Sequence, residues 1–570
     1  MSVWNDTPCR RWRCGPGGID EGAPVATESC ITGDPRVRQV ELWSLREDVD
    51  LELDADQALM RTPWGVVRLK NLGTMAREAL RRMTFGPVSL NNAVASRLKD
   101  AEGPGGSAGE IRGELAQLHT LLNQLQYLVV RSLAVESTDP PLISVVPMTR
   151  QAVFTLPDDI SMPARLSRFA SMRTEDGSLI LESAMSLHRV VLHSPEAAYL
   201  VSSLARPCTA QDLARAQGLP EEAVLQIVRY LVAAGMVVLA QSGDPPGTGD
   251  GGAGPSFAED RDPALITWSG RDLLFHTRSR RGRHDEPYGA TYPFLGMVSP
   301  EPLLKTVPEG PRVELYRPPL EQLLVDDMSL TAALEQRRSV RCYADAPVTT
   351  DQLGELLYRS ARVRAVFSTS EKDSGRPIAT SRPYPSGGAA YSLEIYVTLG
   401  RGDGTTDRGI YYYDPHGHAL VLVSRNENDV RELLYAAQTG AGLLAPPPVL
   451  LTMTSRFSRM SWKYRGMWYA AILKEVGVLQ QTLYLVSTAM GLAPCALGGG
   501  DSDAAARAFG LDWRTESSVG EFILGPCSQE EGDARAGAAP THLGMRDLVA
   551  QPVNDADWAV RCRGGSTPGS

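Results

Sequence analysis

Residues 449–453, Val-Leu-Leu-Thr-Met, form an apolar strand, and from about Gly466 to Met490 the chain reads as one long core helix stopped by Gly491. This pair constrains the fold more than any other stretch, because both elements need apolar cover and so belong to the interior of a mixed α+β domain. Between them lies Met460-Ser461-Trp462-Lys463-Tyr464-Arg465-Gly466. A Lys-Tyr pair at a strand-to-helix junction suits proton transfer, since burial tunes a lysine downward and a neighbouring cation eases ionisation of a tyrosine. A surface lysine beside a packing tyrosine is the plainer reading of the dipeptide alone.

The rest of this domain begins near Met328. Residues 329–343 read as a helix ending in a polar, cationic turn, and residues 351–360 as another helix. Leu393, Ile395, Val397 and Leu399 alternate with Glu394, Tyr396 and Thr398, which predicts a half-buried strand. Residues 409–414 and 419–424 flank Pro415-His416-Gly417-His418 as a hairpin, with both histidines expected to face water and Tyr411, Tyr412 and Tyr413 packed on the sheet. A strand at 520–525 closes the set. The expected class is α+β with a mostly antiparallel sheet and helices.

A chain of 570 residues is too long for one core of ordinary size. Residues 1–35, rich in Gly, Pro and small polar residues, read as a disordered leader. A first small α+β module covers 36–140: two strands in 40–54 and 58–72, a helix at 73–83, a glycine-rich loop at 102–109, and a helix of about 25 residues whose stripe is Ile111, Leu115, Leu118, Leu122, Leu125 and Val129. A second covers 141–241, where two strands precede three helices and a last strand in the order of a winged helix. Thr209 is placed as an N-cap, Gly218-Leu219-Pro220 as the turn and Gly235 as a helix stop. Residues 242–262 read as a flexible linker, 263–327 as an extended arm carrying Arg271, Arg278, Arg280, Arg281 and Arg283, 328–555 as the main domain and 556–570 as a disordered tail.

Composition excludes several classes. A formal charge of −10 argues against a sequence-independent grip on nucleic acid, and the candidate recognition helix offers Glu221 and Glu222 with only Arg229. Eight cysteines without a CxxC pair or a His-Cys cluster indicate neither a metal site nor a disulfide framework. No apolar h-region and no run of about 18 apolar residues is seen, so the expectation is a cytoplasmic protein without a membrane partner.

Three further motifs fit one task, holding a phosphorylated, planar, redox-active ring. Arg337-Arg338-Ser339-Val340-Arg341 offers cations and a hydroxyl for a phosphate and ribityl chain. Arg382-Pro383-Tyr384-Pro385-Ser386-Gly387-Gly388 supplies paired glycines that let backbone approach a flat ring. Pro494-Cys495-Ala496-Leu497-Gly498-Gly499-Gly500 is a glycine cluster past the core helix. In this order, with the Lys-Tyr pair between the second and third, they resemble the SagB-type thiazoline/oxazoline dehydrogenases of the FMN-dependent nitroreductase superfamily. The two modules ahead of that domain resemble the winged-helix-like peptide-recognition modules of cyanobactin-type azoline oxidases. Where many relatives carry Gly-His-x-x-Gln-Asn on the core helix, this chain has Gly477-Val478-Leu479-Gln480-Gln481.

The resemblance implies a nitroreductase-like domain forming an intertwined homodimer with FMN at the interface. It implies that Arg337, Arg338, Ser339 and Arg341 take the phosphate and ribityl group, that Pro385, Ser386, Gly387 and Gly388 lie against the ring, and that Gly498 and Gly499 line the site. Lys463 and Tyr464 match the catalytic pair, with Tyr464 as general base, FMN as hydride acceptor and oxygen as the final oxidant. The implied partners are an azoline-containing precursor peptide and a cyclodehydratase. The rival readings are an NAD(P)H-dependent reductase of small molecules and a catalytically silent peptide-binding scaffold.

Overall fold

The computed structural model describes residues 39–54, 57–93, 108–135, 141–241, 255–368 and 377–528. The expected leader, most of the glycine-rich loop, residues 242–254 of the linker and the tail lie outside the described residues. The chain divides into two units, residues 1–274 and 275–570.

In the first unit the two strands expected in 40–54 and 58–72 are four. They are β1 (Gln39–Leu45), β2 (Asp50–Leu53), β3 (Gln57–Thr62) and β4 (Gly65–Lys70). Gly65 adopts φ +112° at the β3–β4 turn, where Thr62 Oγ1 donates to its carbonyl at 2.8 Å. Helix α1 (Thr74–Met83) buries Met75, Ala76, Ala79, Leu80 and Met83. Helix α2 (Ala108–Gln124) is shorter than expected, because a 3-10 turn at Gln126–Leu128 ends the stripe and Val129 opens strand β5 (Val129–Val135).

The next strands are β6 (Ile143–Pro147), β7 (Ala164–Leu166), β8 (Ala170–Glu175), β9 (Ser178–Ser183) and β10 (His188–Leu192). One six-stranded sheet, ordered β1-β5-β6-β10-β9-β8, takes strands from both expected modules. Helices α3 (Pro195–Ser203), α4 (Ala210–Gln217) and α5 (Glu221–Ala233) follow, and β11 (Val237–Leu239) pairs with β7 as a small wing. Local chemistry sets these ends as read from the sequence: Thr209 Oγ1 accepts from Asp212 N at 3.1 Å, while Gly218 and Gly235 take φ +65° and +70°. Arg229, the single cation of α5, donates to the Pro157 carbonyl at 2.9 and 2.8 Å. Its charge therefore serves the fold.

Burial holds the His188 imidazole down at about 4. A folded-state value below the unfolded one means that the stability it contributes is complete above about pH 6.5 and is lost as pH falls toward 4, on the order of 3 kcal/mol. The urea midpoint of the first unit's transition should drop between about pH 7.5 and about pH 4.5, and His188→Gln should flatten that drop.

The end of the expected linker is structured. Phe257 is buried, and Glu259 in the short helix Ala258–Arg261 pairs with Arg165 at 2.8 Å and accepts from Ser167 Oγ at 2.7 Å. The expected extended arm contains a helix at Gly270–Arg278 and strands β12 (Gly289–Ala290) and β13 (Arg312–Glu314), then helix α6 (Leu320–Asp326).

The second unit continues with α7 (Leu330–Gln336), α8 (Thr350–Ala361), β14 (Ala365–Ser368), β15 (Pro377–Ser381), β16 (Leu393–Leu399), β17 (Gly409–Asp414), β18 (Ala419–Ser424) and α9 (Glu427–Ala441). Then come β19 (Val449–Arg456), β20 (Tyr464–Arg465), α10 (Trp468–Ala489), β21 (Leu492–Leu497), α11 (Ser502–Phe509) and β22 (Glu516–Pro526). The main sheet, β13-β18-β17-β16-β19-β22-β21, is antiparallel at every pairing. This is the α+β class expected.

Strand β16 is buried at all seven positions, not at alternate ones. Leu393, Ile395, Val397 and Leu399 pack with Leu356 and Leu357 of α8 and Ile472 and Leu479 of α10. Tyr396 on the opposite face packs with Leu433 and Leu434 of α9 and stacks on Phe509 of α11 with ring centroids 4.1 Å apart. Helices cover both faces, so the polar-looking face meets protein instead of water. Glu394 is accommodated there by Tyr412 Oη at 3.0 Å and Arg456 Nε at 3.1 Å. His418 is likewise buried, contrary to expectation, bonded to Tyr413 Oη and the Tyr316 carbonyl at 2.9 Å each. His416 is exposed as expected.

Helix α8 contains Gly354. Alanine at an open helical site gains about 1 kcal/mol over glycine, but a Cβ here would sit 2.8 Å from Tyr316 N and 3.0 Å from Tyr316 O. Backbone cannot swing away as a side chain can, so Gly354→Ala should destabilise by about 1–3 kcal/mol, read as a lower melting temperature.

Candidate active site

Lys463 and Tyr464 follow the short helix Phe457–Ser461, and the arm fixes their backbone. β12 pairs with β20, Tyr292 N donates to the Lys463 carbonyl at 3.2 Å, and Trp462 Nε1 donates to the Val298 carbonyl at 2.7 Å. The Lys463 ammonium then donates to the Gly388 carbonyl at 3.0 Å. Gly388 stands at φ +58°, and a Cβ there would collide with Tyr464 Oη and lie 2.5 Å from Lys463 Nζ. The second motif and the Lys-Tyr pair are thus one contact, although 75 residues separate Gly388 from Lys463.

The net direction for Tyr464 runs opposite to the expected easing of its ionisation. Burial, then Tyr292 and Glu475, holds the phenol above its ordinary value. Lys463 Nζ is engaged by a carbonyl and lies 5.6 Å from the phenol ring centroid.

A residue the sequence reading missed anchors the turn from the other side. Glu475 of α10 is buried, and its Oε1 accepts from Ser386 Oγ and from Gly387 N, each at 2.8 Å. Ser386 Oγ also accepts from Tyr391 N at 2.8 Å. Burial raises the Glu475 carboxyl above the usual range despite those two hydrogen bonds and the Arg382 charge. The available signal was a carboxylate inside the apolar stripe Ile472, Val476, Leu479 and Leu483. Pro385 and Gly388 are exposed at the surface of the turn. Beneath it, buried Arg382 donates to the Leu393 carbonyl at 3.3 Å.

The cationic motif sits at the other end of α10. Tyr484 Oη is 2.7 Å from Ser339 Oγ and accepts from Ala496 N at 2.7 Å, while Val340 N donates to the Pro494 carbonyl at 2.8 Å. Arg337 lies over the Tyr484 ring at 5.3 Å, and Arg337, Arg338 and Arg341 are all half-buried. The first and third motifs therefore meet. Cys495 is a buried packing residue whose thiol burial pushes up. Gly498 and Gly499 are exposed, with nothing within 4 Å of an added Cβ. Gln480, at the departure from the family's helix pattern, donates to the Glu521 carbonyl at 3.2 Å.

Glu475 and Tyr484 are nine positions apart, so α10 separates the turn from the cationic motif by about 13 Å. One end is a glycine turn flanked by a phenol and an ammonium. The other is a set of arginines in which Arg341 Nη1 is buried with no hydrogen-bond partner among the described residues. An orphaned guanidinium nitrogen suits an anionic group such as a phosphate. A long planar ligand with a charged tail fits this layout. No cluster of three or more His, Cys, Asp or Glu able to hold a metal occurs among the described residues, and none of their helices is long and apolar enough to cross a membrane.

Residues 334–525 match the nitroreductase family and residues 164–285 match the cyanobactin oxidase ThcOx family. A Methanocaldococcus jannaschii protein named as a nitroreductase, MJ1384, is 28% identical over 189 residues, 33% of this chain and 85% of that protein. The Microcin B17-processing protein McbC of Escherichia coli is 31% identical over 144 residues, 24% of this chain; the chain spans about half of McbC, 52%. Among solved structures, the E. coli microcin synthetase McbBCD complex with truncated pro-MccB17 bound superposes with a TM-score of 0.27 at 21% identity, covering 38% of this chain and 84% of that one.

Proposed function

We propose that this chain, whose residues 334–525 carry a nitroreductase-family domain behind a cyanobactin-oxidase-like segment, is an FMN-dependent azoline dehydrogenase. It oxidises thiazoline or oxazoline rings in a ribosomally made peptide to thiazoles or oxazoles. The observation that carries this reading is the contact of Lys463 and Tyr464 with the Gly388 turn. The partial likeness to a protein named for processing microcin B17 supports a peptide substrate.

Arg337, Arg338, Ser339 and Arg341 hold the FMN phosphate and ribityl chain in this reading, with Arg341 Nη1 the free donor. Pro385, Ser386, Gly387 and Gly388 form the ledge for the ring, and the open backbone at Gly498 and Gly499 completes the rim. Bound FMN supplies the acceptor for the hydride equivalent. The chain supplies the proton step: Tyr464 Oη takes the proton from the ring carbon, and Lys463, fixed by the Gly388 carbonyl, places positive charge beside the phenolate that removes it. Since the Tyr464 value is raised, the reactive ionised phenol is a minor form at neutral pH.

The protein acts in the cytoplasm beside a cyclodehydratase that makes the azoline, and it works as a homodimer. Leu324, Val325, Leu330 and Leu334 on α6 and α7, exposed at 88, 83, 66 and 49%, offer a second copy an apolar face next to the cationic motif.

The test is the absorbance spectrum of the purified protein, identification of the chromophore released on denaturation, and incubation with an azoline-bearing peptide. FMN with loss of two hydrogens from the peptide supports the reading. Protein that cannot be reconstituted with FMN overturns it in favour of a scaffold, and rapid flavin bleaching by NADPH with no action on the peptide favours a small-molecule reductase.

A further inference from the structure

We infer that Glu475 is a positioning residue that sets the place of the Lys463 ammonium through the Ser386–Gly388 turn. The inference rests on the assignment of Lys463 to the site. Glu475 lies in the apolar stripe of α10, 4% exposed, where an unpaired carboxylate is unfavourable. Only one of its oxygens is used: Oε1 receives Ser386 Oγ and Gly387 N, while Oε2 is buried with no partner among the described residues. A leucine would suit the packing better. What the carboxylate supplies is a two-point grip from α10 on a turn whose Pro385 and Gly388 positions are exposed, added to the turn's own bonds from Ala389 N to the Ser386 carbonyl at 3.1 Å and from Ala390 N to the Gly387 carbonyl at 3.2 Å.

The grip reaches Lys463 by a short route. Gly387 N is held by Glu475, the next residue turns left-handed at φ +58°, and the carbonyl of that residue receives Lys463 Nζ at 3.0 Å. Ser386 Oγ donates to Glu475 and accepts from Tyr391 N, so the hydroxyl is locked in direction as well as place. Charge-assisted hydrogen bonds of this kind are the stronger ones, and both end on the same oxygen. Releasing that oxygen frees the turn, and the freed turn no longer fixes the ammonium. The bonds of Glu475 end on Ser386 and Gly387, so it acts on the Lys463 ammonium through position, separately from the charge by which it helps hold the Tyr464 phenol up.

The test follows Lys463 itself, by mass spectrometry of its modification with an amine-specific reagent, on the full chain with no azoline peptide present. Glu475→Leu should fold with unchanged or higher thermal stability and should raise the Lys463 modification rate by about fivefold, the factor that one net hydrogen bond corresponds to. Glu475→Gln keeps an acceptor oxygen and should be modified near the native rate. A native rate in Glu475→Leu overturns the inference, as does a Glu475→Gln rate as high as that of Glu475→Leu. If Glu475→Leu does not fold, Ser386→Ala removes the Ser386 bond to the carboxylate together with the one from Tyr391 N, while Ser386→Thr keeps the hydroxyl; a faster Lys463 modification in Ser386→Ala that Ser386→Thr restores supports the inference, and an unchanged rate in Ser386→Ala overturns it. Because no azoline turnover enters the readout, a failure of the dehydrogenase reading would leave this answer intact.

Discussion

Lys463→Ala and Tyr464→Phe are each expected to lower azoline oxidation by about 10²–10⁴-fold, the span for loss of a general base or its electrostatic partner, while the protein stays yellow. Both side chains lie at the Gly388 turn, whereas Arg337 of the motif assigned to the phosphate lies over Tyr484 toward the other end of α10, so flavin affinity should change little. The pH profile separates the two roles. With the phenol held above its ordinary value, turnover limited by ionised Tyr464 should climb through neutral and alkaline pH without a plateau below about 10. A flat profile, or a Tyr464→Phe variant of native rate, removes Tyr464 as the base.

Gly388→Ala is the second large effect. The new methyl meets Tyr464 Oη and Lys463 Nζ, and the backbone at φ +58° disfavours any residue with a Cβ by about 1–2 kcal/mol. Overpacking adds about 1–3 kcal/mol unless the ammonium moves away. Displacing a reacting group by about 1 Å can cost on the order of 10²-fold in rate. Turnover should therefore fall by about that factor with a modest loss of melting temperature. Gly387→Ala makes a useful contrast, because its Cβ would meet Glu475 Oε1 and Met460 Cε at 3.4 Å, ordinary contact. Equal effects at both glycines would show that the collision with the Lys-Tyr pair is not the cause.

Much of this arrangement was legible because its signals are local. Thr209 before a helix, Gly218 and Gly491 after helices, and the turn between the paired strands at 409–414 and 419–424 act within a few residues of their own positions. The motifs were legible as residue types suited to a ligand. What joined them was not. Glu475 looks like one acidic residue on a long helix until the fold places the Ser386 turn against it. Strand β16 misled because Tyr, Thr and Glu read as a wet face, yet α9 and α11 cover it and Tyr412 and Arg456 satisfy its carboxylate. His418 misled for the same reason. A histidine in a turn motif is expected to meet water, and only the tertiary fold brings Tyr316 and Tyr413 to it.

The shared sheet of the first unit governs how that half of the chain can be moved between proteins. Strand β6 lies between β5 and β10, with Arg131, Ser132 and Leu133 of β5 opposite Val145, Ser144 and Ile143. A graft that took residues 141–241 alone would strip β6 of its neighbour and leave a row of unpaired amides and carbonyls beside the buried side chains of Ile143 and Val145. Such a fragment would recruit a strand from another molecule. The smallest transplantable unit is therefore the span that keeps β1 and β5 with β6, and chimeras built at the apparent module boundary would aggregate.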